Sequence, residues 1–360
     1  MRALIIGFGS IARNAHYPVL HRMGAQIDVV DTVAPPSDYD VKYLGAQIPT
    51  LGDYDVALIA SPPALHCEHA VKAANVARKI LCEKPPATSV SELNDMLSAA
   101  RRNNTSFMFG FHLIRMDAWK RFKEVMSPIL DEFWCKYDID FYFHWVHRNG
   151  IPPARWFREK QMGGGVTLDL VSQLVALFYD LVGKRELLPL IAGGIREHLL
   201  YEDGDADYDV GYWLDEPPSA HGVRHRFTFD ATWVSKIPTC AVIDNCIDPP
   251  VIAGFARECT HRSDELLMVH IVLMRASPTS YEFIRYGDNA FAICESTNLN
   301  TPNFKRRALE YPHNNTNPYE VEWNELLSAP QGFIDELGVK VQSVLDDMRA
   351  RSRVLIPRML

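Results

Sequence analysis

The chain has 360 residues, of which 47% are hydrophobic and 23% charged, and a formal net charge of -8. That length is long for one hydrophobic core and suits two domains. The acidic balance argues against nucleic acid or an anionic membrane as the main partner and leaves small substrates open. The chain opens on the apolar strand "RALIIGFGS", which ends in glycines. "IARNAHYPVLHRM" follows with helical spacing, Ile11, Ala15, Val19 and Met23 falling near one face. "QIDVVDTV" reads as a second strand and "YDVALIASPP" as a third, stopped by Pro62 and Pro63. The proline-rich stretch between Asp31 and Asp53 has too little periodicity for a full helix. "ALHCEHAVKAANVA" predicts a helix, "KILCEKPP" a strand, "SVSELNDMLSAARRN" a helix with the capping box Ser89-x-x-Glu92, and "SFMFGFH" a strand. Strands alternating with helices imply a parallel sheet covered on both faces.

Near residue 118 the pattern changes. "AWKRFKEVM" and "DLVSQLVALFYDLV" have helical spacing, and "FWCKYDIDFYFHWV", "DYDVGYWL", "HRFTFDATWV" and "LLMVHIVLM" are strand candidates. Strands without intervening helices suggest a largely antiparallel sheet. A last helix, "PQGFIDELGVKVQSVLDDMRARS", starts after Pro330. The fold class expected is α/β, with a dinucleotide-binding domain over residues 1–117, an α+β domain with an open, mostly antiparallel sheet over 118–328, and a C-terminal helix over 329–360. The seven cysteines are scattered, with no C-x-x-C pair, as in a reducing compartment, and no metal-ligand spacing stands out. The N-terminus has no signal-peptide cleavage region and no run approaches about eighteen apolar residues, so a soluble, cytoplasmic protein is expected.

The glycine loop carries the first functional signal. Gly7-x-Gly9-x-x-Ala12 directly follows a strand and opens a helix. Gly7 permits the tight turn, Gly9 lets a pyrophosphate approach the backbone, and Ala12 lets the helix pack on the strand. Phe8, Ser10 and Ile11 complete the loop, whose helix N-terminus offers amide N–H groups to phosphate. Asp31 ends the second strand, where a carboxylate accepts from both ribose hydroxyls and repels a 2′-phosphate. No Arg or Lys follows it before Lys42, so NAD(H) is favoured over NADP(H).

Further motifs identify a family resemblance. Ser61-Pro62, His66, His69 and Ala73, followed by Cys82-Glu83-Lys84-Pro85 after a strand, resemble the Gfo/Idh/MocA family of NAD(P)-dependent sugar and cyclitol oxidoreductases. His16 and Pro18 resemble its first helix, and Trp145, Arg148, Trp156, Phe157, Gly163-Gly164-Gly165 and Asp169 resemble its later motifs. The resemblance runs over residues 1 to about 183. It implies cofactor contacts from Ser61, Pro62, His66, Glu83 and Lys84, and a sheet that makes a homodimer or homotetramer interface. It also implies a C-terminal helix packed back on the first domain.

The resemblance implies that Lys84 is the proton carrier beside the nicotinamide, where a desolvated cleft would lower a lysine's pKa. The resemblance places Asp169 and Gln173 on the substrate-facing wall, and Asp169 matches the family's aspartate. Gln173 stands where the family keeps a histidine, and an amide cannot carry a proton near neutral pH. Three arrangements fit this departure. Lys84 serves alone with Gln173 positioning; His112, Tyr142 or His144 supplies the proton; or activity is lost. Lys84, His112, Arg148, Trp156, Asp169 and Gln173 are the substrate candidates. The reading is a dehydrogenase acting on a secondary alcohol or ketone of a sugar, nucleotide sugar or cyclitol. The alternatives are a non-catalytic dinucleotide sensor, and a reductase of an imine or open-chain tetrapyrrole.

Overall fold

A computed structural model describes residues 1–147, 152–185, 187, 191–199, 207–215, 217, 222–233, 265–274, 279–286, 290–297, 305–312 and 316–355. The chain forms two compact units, one of Met1–Met116, Glu159–Gly164 and Thr316–Asp347, the other of Asp117–Arg158, Gly165–Asn315 and Met348–Leu360.

The first unit is built on six parallel strands: β1 (Arg2–Ile6), β2 (Gln26–Val30), β3 (Lys42–Tyr43), β4 (Tyr54–Ile59), β5 (Ala77–Glu83) and β6 (Ser106–Gly110), in the order β3-β2-β1-β4-β5-β6. Buried residues dominate these strands because helices cover both faces of a parallel sheet. The order reverses between β1 and β4, which opens a crevice outside the strands' carboxyl ends. Between Asp31 and Asp53 the only regular element among the described residues is the short edge strand β3, in keeping with the absence of helical periodicity there. Helix α1 starts as a wide π turn, Ala12–His16, before tightening into Tyr17–Arg22. α2 (His66–Ala73) is shorter than its predicted segment. In α3 (Val90–Arg102), Ser89 Oγ accepts from Glu92 N at 3.2 Å, while the Glu92 carboxylate reaches back to Thr88 N at 3.0 Å and Thr88 Oγ1 at 2.6 Å.

Beyond residue 316 this unit takes in one whole helix and the start of the last one, as far as Asp347. α6 (Pro318–Ser328), numbered after α4 (Asp117–Phe133) and α5 (Ser172–Val182) of the second unit, was not legible as a helix although Asn317-Pro318 is a start signal. It was expected in the second domain. It joins the first because Trp323 and Leu326, both fully buried, complete a core with Ala3, Ile5, Leu20, Leu58 and Met108. Lys79 Nζ, on β5, donates to the carbonyls of Leu326, Leu327 and Ala329 at 2.6–3.0 Å, groups a helix C-terminus leaves without partners. Residues 333–335 then pair beside β6 through Phe107 N to Phe333 O at 2.7 Å and Asp335 N to Phe107 O at 2.9 Å. This pairing delays α7 (Glu336–Leu355) past Pro330, where the sequence placed its start.

The second unit carries eight strands: β7 (Asp138–His147), β8 (Ile191–Leu199), β9 (Asp207–Asp215), β10 (His225–Trp233), β11 (Glu265–Met274), β12 (Thr279–Tyr286), β13 (Ala290–Thr297) and β14 (Lys305–Pro312). Their order is β14-β13-β12-β11-β7-β10-β9-β8, antiparallel throughout except for the parallel pair β7 and β10. β7 begins later than the predicted strand because α4 (Asp117–Phe133) runs through Pro128 and takes up Phe133. β8, β12, β13 and β14 carry no strong alternation and went unread in the sequence. Phe141, Phe143 and Trp145 alternate on β7 and point to the core beneath α5 (Ser172–Val182). There Phe143 stacks on Phe229 at 5.3 Å and Phe178 lies 4.6 Å from Phe227. Each such ring contributes about 1.5–3 kcal/mol on burial. The stretch Lys160–Val182 is long and apolar enough to cross a membrane by composition, contrary to the sequence reading, but 83% of its apolar window is buried within the protein, as in a core helix.

Candidate active site

The glycine loop leaves β1 at the crevice. Gly7 has φ +89, and a Cβ there would lie 2.7 Å from Ser61 N and 2.8 Å from Ala60 C and O. No other residue fits so close to the end of β4. Gly9 is different: a Cβ there would meet nothing within 4 Å. The loop is therefore open outward at Gly9, where the helix N-terminus begins, and a phosphate group fits that space. Asp31, half-buried at the end of β2, accepts from Phe8 N through Oδ2 at 2.6 Å and from Val33 N through Oδ1 at 3.0 Å. Its carboxylate thus braces the loop and retains acceptor capacity for ribose hydroxyls. The residues present fit a dinucleotide.

At the end of β5, Glu83 is buried and Lys84 half-buried. Glu83 Oε1 pairs with His16 Nε2 at 2.7 Å, and Glu83 Oε2 accepts from Lys84 N at 3.1 Å. Gly110 on β6 lies against this carboxylate; a Cβ there would come within 3.2–3.3 Å of it. Burial pushes the Glu83 carboxyl up, but the His16 hydrogen bond and the nearby positive charge of Lys84 outweigh burial and hold it below its ordinary 4.5. Lys84 therefore leaves the strand from a backbone fixed by a buried anion.

The His66 ring is buried, with Nδ1 3.0 Å from Pro85 O and Nε2 2.9 Å from Ser61 O. Both nitrogens face backbone carbonyls, so the ring braces the ends of β4 and β5. Burial lowers its pKa against the carbonyls' pull. Glu83 likewise acts through its neighbours. His112 opens the turn after β6, and its ring stacks on Tyr319 of α6 at 4.9 Å.

That contact introduces a buried polar cluster that the sequence reading missed. Trp323 Nε1 donates to His16 Nδ1 at 3.2 Å, and Tyr319 packs edge-on against His16 at 5.1 Å. Arg115 donates from NH1 to Phe111 O at 3.0 Å and Glu322 Oε1 at 3.2 Å, and from Nε to Glu325 Oε2 at 2.7 Å. Glu322 is fully buried and its Oε2 has no hydrogen-bond partner. Burial pushes its carboxyl well up, and the Arg115 charge offsets only part of that. The signal for these residues was three-dimensional: α6 lies some three hundred positions from His16 in sequence.

In the second unit, Asp169 lies in a π turn, Thr167–Val171, that runs into α5. Asp169 is half-buried, whereas Gln173 has no exposed surface. Tyr142 donates to Asp140 Oδ2 at 3.4 Å, and burial followed by the Asp140 charge pushes its hydroxyl up to about 12. That keeps the Tyr142 hydroxyl protonated near neutral pH. His144 is buried on the same strand. Trp156 stacks on Phe157 at 3.7 Å. Arg148 lies outside the described residues. No group of metal-ligating side chains occurs among the described residues.

Residues 1–111 match the family model described as the oxidoreductase family with an NAD-binding Rossmann fold, GFO_IDH_MocA. The D-glucoside 3-dehydrogenase of Escherichia coli K12 is 28% identical over 130 residues, which is 35% of this chain and 36% of that protein. The chain spans about half or less of other curated relatives. Among solved structures, KijD10, a 3-ketoreductase from Actinomadura kijaniata crystallised with NADP and TDP-benzene, aligns at TM-score 0.67 and 13% identity over 97% of both chains. The WlbA dehydrogenase from Bordetella pertussis, with NADH and UDP-GlcNAcA, aligns at TM-score 0.65 and 15% identity over 100% of this chain and 99% of that one. At such identities the structures share the fold.

Proposed function

We propose, from the premise that residues 1–111 are an NAD-binding Rossmann domain of the Gfo/Idh/MocA oxidoreductase family, that the chain is an NAD(H)-dependent oxidoreductase. Its substrate is a secondary alcohol or ketone of a sugar, nucleotide sugar or cyclitol. The observation that carries this reading is the space at Gly9, walled by no side chain, with Asp31 beside the same loop. Gly7 to Ala12 would hold the pyrophosphate and Asp31 the ribose, whose 2′-phosphorylated form the carboxylate repels. Bound NAD supplies the hydride acceptor, or as NADH the donor. Lys84 Nζ takes the hydroxyl proton in oxidation and returns it in reduction. Asp169 accepts from substrate hydroxyls, and the buried Gln173 supports the same wall without exchanging a proton. The proposal includes a cytoplasmic homodimer or homotetramer assembled through the second sheet.

Relatives support the substrate class, since one is named a D-glucoside 3-dehydrogenase and another is crystallised with UDP-GlcNAcA. The test is fluorescence titration with NADH and NADPH, followed by turnover assays on Lys84→Ala. NADH binds more tightly than NADPH, and Lys84→Ala loses turnover while keeping NADH affinity. A preference for NADPH overturns the Asp31 assignment, and retained turnover overturns that of Lys84. NADH binding with no turnover on any sugar of the class favours the sensor reading instead.

A further inference from the structure

The cluster around His16 carries a consequence for Lys84. An indole N–H can only donate, so His16 Nδ1 accepts from Trp323 and the ring's proton sits on Nε2. Nε2–H then donates to Glu83 Oε1, whose partner oxygen holds the Lys84 backbone N–H. Each group is buried, and each has the partner its chemistry requires: Trp323 and His16 have no exposed surface and Glu83 only 6%. A histidine facing a carboxylate with its bare nitrogen would instead repel it.

We propose that Trp323, delivered by α6, is a positioning residue that locks the tautomer of His16 and through Glu83 fixes the backbone from which Lys84 projects. This inference rests on the dehydrogenase reading only for its kinetic consequence. Arg115 anchors α6 for the purpose through Glu322 and Glu325, and Lys79 anchors its other end. Helix α6 therefore bears on the chemistry through His16 and Glu83. A helix that merely fills the core would need no hydrogen-bonded indole; a phenylalanine would pack there as well.

The test uses the full-length chain labelled with nitrogen-15. In the wild type the His16 ring shows a protonated Nε2 and a bare, hydrogen-bonded Nδ1. Trp323→Phe keeps the ring packing and removes the donor. It shifts proton population onto Nδ1 and lowers kcat about threefold to tenfold, the range one buried hydrogen bond commands, with KM and NADH affinity unchanged. His16→Gln, whose amide still donates to Glu83, retains more kcat than His16→Leu. A wild-type His16 protonated on Nδ1 overturns the proposal, as does a Trp323→Phe variant with unaltered tautomer and kcat. If KM rises and NADH affinity falls as kcat is lost, the residue is only structural and the proposal is again overturned. Should the wild type turn over no sugar, the dehydrogenase reading fails while the tautomer measurement still decides the relay.

Discussion

Gly7 and Gly9 sit two positions apart in one loop, yet alanine at each should do opposite things. At Gly7 the backbone has φ +89, and the new methyl would stand 2.7–2.8 Å from main-chain atoms of Ala60 and Ser61. Adopting positive φ costs about 1–2 kcal/mol. Forcing a methyl against a strand end that cannot yield adds about 1–3 kcal/mol. Gly7→Ala should therefore lose about 2–5 kcal/mol, a large share of a typical folding free energy. At Gly9 the methyl meets nothing within 4 Å and φ is not in the left-handed region. Gly9→Ala should leave stability unchanged or raise it by about 0.4–1 kcal/mol, because the unfolded chain loses freedom. It should nonetheless weaken NADH binding at least tenfold, since the methyl occupies the approach of the pyrophosphate. Urea unfolding followed by circular dichroism measures the first quantity and NADH fluorescence titration the second. If Gly9→Ala binds NADH like the wild type, the loop is not a phosphate cradle. If Gly7→Ala unfolds like the wild type, the close approach to β4 is not a constraint.

Arg115→Met leaves Glu322 buried beside other carboxylates and should cost about 3–5 kcal/mol, while the double variant with Glu322→Leu recovers most of it; urea midpoints that fall equally in both would deny the coupling. Glu83 gives a pH signature. Its folded pKa is depressed, so its contribution is present above 4.5 and disappears as pH falls through the lower folded value. The stability gap between wild type and Glu83→Gln should therefore close in acid, and a gap that stays constant below 4.5 would refute the assignment. Glu322 has the opposite sign, since its raised carboxyl favours folding at low pH, so only the difference between the two proteins isolates Glu83.

The sequence by itself determined the elements whose information is local. Strand–glycine–helix order, the Ser89 cap, Asp31 at the end of β2 and Lys84 after β5 follow from periodicity, turn chemistry and spacing, which neighbouring residues set alone. The mostly antiparallel character of the second sheet was also legible, from strand candidates with no helices between them. β14, at the edge of the sheet, and β13 beside it were not, because their sequences show no strong two-residue alternation. The π turns that begin α1 and precede α5 were invisible for a related reason. One extra residue per turn leaves composition unchanged and alters only which side chains share a face.

What tertiary structure alone decided is which polar groups meet. His66 carries a family motif, yet its two carbonyl partners make it a brace. Trp323 carries no motif, yet burial brings its N–H to His16 and so to the residue preceding Lys84. Buried polar atoms must find partners wherever the fold provides them, and those partners are set by packing between distant segments.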